Sequence, residues 1–289
     1  MLPIMMPSRG YLLCCIERTG SNLLLHPLAA SGMAGRPKEY FNPVEQDTPW
    51  MREILGDSTL VGGLPRIVQA ATTPNGMFGA KVHWVHFRYL GMSITGEWKD
   101  AHRKALYELL RSRLSDSRSH AATMASLRSG FFSHPALSIA YTQLKSWVPD
   151  LRMIWLRRQN MVARAVSLFR ARQSGIWYQS LSKSSAVIEK QAPVFDFAEI
   201  NTLYCLGWLQ EESWQQFFQQ NKISSHCVLY EELVANYEST VRRTLQFLDI
   251  DSEQKRIAPP VSAKQSDALS EEWAERYRKM STEGGFHEF

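Results

Sequence analysis

The chain has 289 residues, of which 44% are hydrophobic, enough to build one large α/β domain or two small ones, and no Gly-, Pro- or Ser-rich linker divides it. Its formal charge of +5 and pI near 9.0 suit an anionic ligand, a nucleic acid or an anionic membrane surface, but no nucleic-acid-binding motif accompanies the charge, so nucleic acid is not expected as a partner. No segment reaches the ~20 apolar residues of a membrane span.

The start, Met1 to Arg9, places its apolar residues before its charge, unlike a signal peptide. Tyr11 to Ile16 then reads as a buried strand that breaks into the polar turn Thr19-Gly20-Ser21-Asn22 and opens into a helix through Leu23, Leu24, Leu28 and Ala29. The free N–H groups and positive end of that helix face the turn, and Arg18 adds a permanent charge, so the segment has the makings of an anion site. The plainer alternative is a strand-to-helix turn capped by Ser21. Two nucleotide motifs are excluded here. Asn22 follows Gly20-Ser21 where a nucleotide-hydrolase loop needs Lys and then Ser or Thr, and one glycine stands where a dinucleotide fingerprint has three.

Met77 to His83 reads as a second strand, with Lys81 near its end and His83 following on the same strand. Glu97 to Leu114 carries Ala101, Ala105, Leu106, Leu109 and Leu110 at helical spacing, and the Ser- and Arg-rich stretch Ser112 to Gly130 is expected as a mobile loop or lid. A third strand, Met153 to Arg157, runs into Arg158, after which Asn160 can cap a helix through Ala163, Val166, Ser167 and Phe169. Strand end, arginines and helix hydroxyl would make a second anion cradle; the alternative is a solvated strand end. Trp177 suits either stacking on a sugar ring or the core. A helix is expected over Phe195 to Gln220, a fourth strand over Cys227 to Tyr230, a helix with Val241, Leu245 and Leu248 on one face, and a closing helix from Glu271 to Lys279. Cys14, Cys15, Cys205 and Cys227 have neither metal-ligand spacing nor a disulfide framework, so they are read as small core residues in a reducing cytoplasm.

The residues Glu17-Arg18-Thr19-Gly20-Ser21-Asn22-Leu23-Leu24, then Gly32-Met33-Ala34-Gly35-Arg36-Pro37-Lys38-Glu39-Tyr40-Phe41, resemble the opening of the trehalose 2-sulfotransferase family. Further matches follow in order: Gly76 to Trp84, Leu156-Arg157-Arg158 leading to Ala165-Val166-Ser167, Trp177, and Gln265-Ser266-Asp267 leading to Glu272 to Tyr277. The resemblance implies transfer of a sulfuryl group from 3'-phosphoadenosine 5'-phosphosulfate (PAPS), without a metal, to a hydroxyl of a carbohydrate or glycoconjugate. It implies Arg18, Thr19, Gly20, Ser21 and Asn22 as the 5'-phosphosulfate cradle, with Arg18 stabilising the leaving oxygen and Glu39 acting as general base. Burial beside Tyr40 and Phe41 is expected to raise the Glu39 pKa; without the motif, an exposed loop glutamate would be the default.

The same resemblance implies Arg158 and Ser167 as ligands of the 3'-phosphate, Lys264 and Gln265 as further nucleotide contacts, and Tyr40, Lys81, His83 and Trp177 on the acceptor side. Other sulfotransferases use a histidine base, but none of His26, His83 and His86 lies in a comparable motif. Tyr230-Glu231-Glu232-Leu233 resembles a segment that supports the core in such enzymes. The implied fold is a doubly wound parallel sheet of P-loop-kinase-like sulfotransferase type, one domain over 1–289 with a helical and loop insertion at about 97–135, paired as a homodimer. A sulfotransferase acting on a non-sugar metabolite, a phosphotransferase, and a nucleotide-binding protein without turnover are the alternatives.

Overall fold

The computed structural model describes residues 6–97, 103–130, 135–177, 192–254, 256–260 and 267–286, with 103–106 described as backbone. In chain order it runs through strand β1 (Arg9–Cys15), helices α1 (Ser21–Ala30), α2 (Pro49–Leu55) and α3 (Leu64–Ala70), strand β2 (Met77–His83) and helix α4 (Trp84–Thr95). Helices α5 (Arg103–Leu114), α6 (Ser117–Ser129) and α7 (Pro135–Lys145) lead to strand β3 (Asp150–Arg157). Helices α8 (Met161–Ser174) and α9 (Phe197–Gln220), strand β4 (His226–Leu229), and helices α10 (Tyr230–Ala235), α11 (Tyr237–Phe247) and α12 (Ala268–Glu283) complete it. Two compact units result. The first is drawn from 1–98, 134–157 and 214–260, and the second from 99–133, 158–213 and 261–289.

The first unit is built on a four-stranded parallel sheet in the order β2-β1-β3-β4. All four expected strands are present, and each boundary lies within three residues of its expected place. Residues of β1 alternate between the two faces of the sheet. Tyr11, Leu13 and Cys15 join Ile154, Leu156 and Val228 in an apolar cluster closed by Leu24 and Leu28 of α1 and Val241 and Leu245 of α11. Cys14 turns to the opposite side and meets Met153. The C-terminal part of α9 serves the end of β1: the Trp214 indole donates to the Cys15 carbonyl at 3.2 Å and stacks with Phe87 at 5.7 Å. A carbonyl at the strand end is thereby satisfied without water. Cys227 departs from the core reading, because β4 is an edge strand and its side chain there is exposed; the four cysteines form no disulfide.

The second unit is helical. Asn201 of α9 ties two neighbours together, donating to the Leu114 carbonyl of α5 at 2.7 Å and accepting from the Tyr277 hydroxyl of α12 at 2.7 Å. Arg164 of α8 is buried and donates to the Leu203 carbonyl at 2.9 Å, in space left by Gly207. Most of the stretch expected as a loop, Ser112 to Gly130, is helix α6 instead. Asp116 caps it by accepting from the Arg118 amide, and His120, Thr123, Met124 and Leu127 form a buried stripe at helical spacing. Only two of those four residues are strongly apolar, which hides the period among serines and arginines.

The segment after α1 lies along β2. Gly35 accepts a positive φ of 69°, Arg36 donates to the Ala71 carbonyl at 2.9 Å, and the Lys81 amide donates to the Lys38 carbonyl at 3.0 Å. A Cβ on Gly35 would overlap the backbone of Gly79. Gly35→Ala should therefore lower stability by ~2–4 kcal/mol, from left-handed strain and overpacking together. A urea midpoint equal to wild type would show that this close approach does not hold the segment.

Candidate active site

The turn expected to take an anion follows the carboxyl end of β1. Thr19 is fully buried and its hydroxyl donates back to the Ile16 carbonyl at 2.9 Å, closing the turn. Arg18 and Gly20 both take positive φ, 66° and 81°. A left-handed arginine is strained backbone of the kind that gathers at functional sites. Gly20, not Ser21, is the N-cap of α1, and no side chain caps the helix, so its first-turn N–H groups keep their capacity for a ligand. The Tyr230 ring covers Gly20 so closely that a Cβ there would overlap it.

Glu39 is placed by the backbone pairing of Lys38 with β2, which brings its carboxylate onto Lys81. Lys81 is 4% exposed in a strand buried along its whole length, and its ammonium donates to Glu39 Oε1 at 2.6 Å and to Asn22 Oδ1 at 3.5 Å. The lysine thus joins the glutamate to the first turn of α1. Asn42 donates to Glu39 Oε2 at 3.1 Å. His83 ends β2 and His86 lies in the first turn of α4; their rings stack at 4.9 Å, with His83 Nε2 4.0 Å from Oε1 and His86 Nδ1 3.7 Å from Oε2.

These neighbours decide the acid strength of Glu39. Burial pushes its pKa up, but His83 and Lys81, with the Lys81 hydrogen bond, outweigh burial and bring it down to about 2. The expectation of a raised pKa is reversed, because the sequence showed the apolar neighbours Tyr40 and Phe41 and not Lys81 and His83, which arrive from β2. Burial, then the His83 charge, pulls His86 down to about 3, so this imidazole is neutral at pH 7. Burial lifts the Cys15 thiol to about 12, which leaves it inert as a nucleophile.

Arg18, Thr19, Gly20, Ser21, Asn22, Glu39, Tyr40, Lys81 and His83 all fall in the first unit, and Arg158, Ser167 and Trp177 in the second. Tyr40 is 2% exposed and its hydroxyl donates to the Arg36 carbonyl at 2.7 Å, so it braces the loop that carries Glu39. Arg158 follows β3, and Ser167 lies partly buried in the second turn of α8, whose N-terminus is capped by Asn160 as expected, accepting from the Ala163 amide at 2.9 Å. Trp177 lies beyond the α8 C-cap Gly175 and is 52% exposed. Lys264 and Gln265 lie outside the described residues. His86 and Asn42 are the site residues that sequence reasoning missed. The signal for His86 was its place three residues after His83, across a strand-to-helix junction.

Removing the carboxylate while keeping its shape, as in Glu39→Gln, leaves the Lys81 ammonium buried without a counter-charge. The expected loss is ~3–5 kcal/mol in chemical unfolding at pH 7. The sign with pH follows from the depressed value: the Glu39 contribution is complete above the ordinary carboxyl pKa of ~4.3 and is lost as pH falls toward about 2. Wild type should therefore lose its advantage over the glutamine variant across that acid window, and a constant difference would refute the pairing.

Comparison with known proteins bears on the same residues. The sequence model of the Stf0 sulphotransferase family matches residues 10–95 and 121–280. The trehalose 2-sulfotransferase of Mycolicibacterium smegmatis is 27% identical over 299 residues, covering 96% of this chain and 97% of that protein. The trehalose 2-sulfotransferase of Mycobacterium tuberculosis is 24% identical over 296 residues, covering 93% and 94%.

Proposed function

Because the chain belongs to the Stf0 sulphotransferase family, we propose that it moves a sulfuryl group from PAPS to a hydroxyl of a carbohydrate or glycoconjugate, with Glu39 as the base. The observation that carries this reading is the Glu39–Lys81–Asn22 bridge, which joins a carboxylate to an anion-binding helix start. Its place also fits: β1 lies between β2 and β3, so the turn after β1 stands at the point where strand order reverses, where open α/β sheets take ligands. That order supports the doubly wound, P-loop-kinase-like description.

The donor supplies an activated sulfuryl group on a phosphate leaving group. Arg18 and the uncapped N–H groups at the start of α1 suit its 5'-phosphosulfate, since they present fixed positive charge where charge builds on the leaving oxygen. Arg18 stabilises that oxygen without protonating it, because a guanidinium pKa lies above ~12. Arg158 and Ser167 take the 3'-phosphate, with Lys264 and Gln265 as further nucleotide contacts. On the acceptor side Glu39 receives the hydroxyl proton as the acceptor oxygen bonds to sulfur and the bridging oxygen departs with its electron pair.

A carboxylate held near 2 is a weak base, yet it is wholly ionised at neutral pH. Little basicity is demanded if sulfuryl transfer, like phosphoryl transfer, has a loose transition state in which the acceptor proton is released late. Lys81 sharpens this: when an anionic sulfuryl oxygen draws its ammonium away, Glu39 loses a partner and gains basicity as the donor arrives. His83 and Trp177 face the acceptor, while Tyr40 braces the loop beside Glu39 through its hydroxyl, which donates to the Arg36 carbonyl. The expected working form is a homodimer in a reducing cytoplasm. Among the described residues no helix is long and apolar enough to cross a membrane.

With sulfate-labelled donor and a panel of sugars, Glu39→Gln should retain donor affinity and lose ~100- to 10,000-fold in kcat. Arg18→Ala should lose ~100- to 1,000-fold while remaining folded. Unchanged turnover in either variant removes that residue from the mechanism. Arg158→Ala should weaken binding of 3',5'-adenosine bisphosphate more than it weakens acceptor binding, and equal losses would refute its 3'-phosphate role.

A further inference from the structure

We propose that Glu39, His83 and His86 form a binding site for one divalent transition-metal ion of the zinc class. Each residue offers one ligand atom, and the three atoms lie within 4.8 Å of one another. Two imidazole nitrogens and a carboxylate oxygen suit zinc or cobalt(II) far better than magnesium, which prefers oxygen. Bonds of ~2.0–2.2 Å to a tetrahedral ion set donor atoms about 3.4 Å apart, so the cluster has to contract by little more than about an ångström.

The histidines are well held for this. His83 closes β2 and His86 opens α4, so a strand-to-helix junction fixes their spacing, and ring stacking at 4.9 Å and 16° fixes their planes. Both are more than nine-tenths buried, at 8% and 9% exposure. His86 Nδ1 is itself shielded from solvent and makes no hydrogen bond among the described residues, although it points to within 3.7 Å of Glu39 Oε2. A buried ring nitrogen without a hydrogen bond is costly in either tautomer, and a metal bond to its deprotonated form would satisfy it. The carboxylate can divide its work, with Oε1 on Lys81 at 2.6 Å and Oε2 turned toward His86. The Lys81 ammonium opposes any cation placed here, which makes the ion exchangeable instead of structural.

The consequence rests on Glu39 being the base. An ion held by that carboxylate competes with the acceptor proton, so metal binding and turnover exclude each other, and zinc acts as a reversible inhibitor.

The test uses the whole chain, stripped by a chelator and then titrated with zinc by calorimetry and with cobalt(II) by visible absorption. One ion per chain is expected, with cobalt bands of a low-coordinate nitrogen and oxygen site. Loss of a direct ligand in His86→Ala or His83→Gln should weaken binding by more than the ~10- to 100-fold that supporting residues command. Circular dichroism checks that each variant is folded, and His86→Gln replaces the alanine variant if that one is not. Failure to bind an ion stoichiometrically, or equal affinity in the folded histidine variants, overturns the site. Zinc bound through these residues with turnover undiminished supports the site and removes Glu39 from the base role, so the two readings fail separately.

Discussion

Lys81 carries a charge inside a strand that is buried along its whole length, and the first unit is arranged around answering that charge. An isolated ammonium in such a place would be neutralised or expelled, so a buried lysine requires a carboxylate and further acceptors. Glu39 supplies the charge at 2.6 Å and Asn22 an amide oxygen at 3.5 Å. Each comes from a different part of the chain, one from the segment laid along β2 and one from the opening turn of α1. One cation therefore connects the carboxylate, the sheet and the helix end, and together with His83 it lowers the pKa of that carboxylate.

Much of the sheet was legible in the sequence because parallel strands buried on both faces read as continuous apolar runs, as Tyr11 to Ile16 does, and Met77 to Val82 keeps that pattern apart from Lys81. The turn between β1 and α1 was legible for a similar reason, since its polar residues interrupt such a run abruptly. Other features were hidden by their physics. Lys81 pairs with a glutamate far away in sequence, and nothing local announces the partner, so the acidity of Glu39 was misjudged from Tyr40 and Phe41 alone. Helix α6 was hidden because His120 and Thr123 fill half of its buried stripe, and polar residues do not register as periodic hydrophobicity. Cys227 was misread because the identity of the edge strand follows from sheet order, which no residue pattern states.

Two kinds of support surround the carboxylate, and they answer different needs. Backbone hydrogen bonds from Arg36 and Lys81 fix where the loop runs, while Tyr40 and Asn42 fix how it turns over the strand. The histidines add bulk and polarity on the remaining side without a short contact to either carboxylate oxygen, which leaves Glu39 room to move.

The ring of Tyr230 that covers Gly20 has a bearing on how the protein is made. The turn after β1 precedes its cover in sequence by the whole of the sheet, so a nascent chain that has not reached Tyr230 holds that turn uncovered. Long-range closures of this sort form late and set the pace of folding. The Tyr230–Gly20 contact thereby adds to the long-range pairing already demanded by the sheet, the kind of contact that raises contact order.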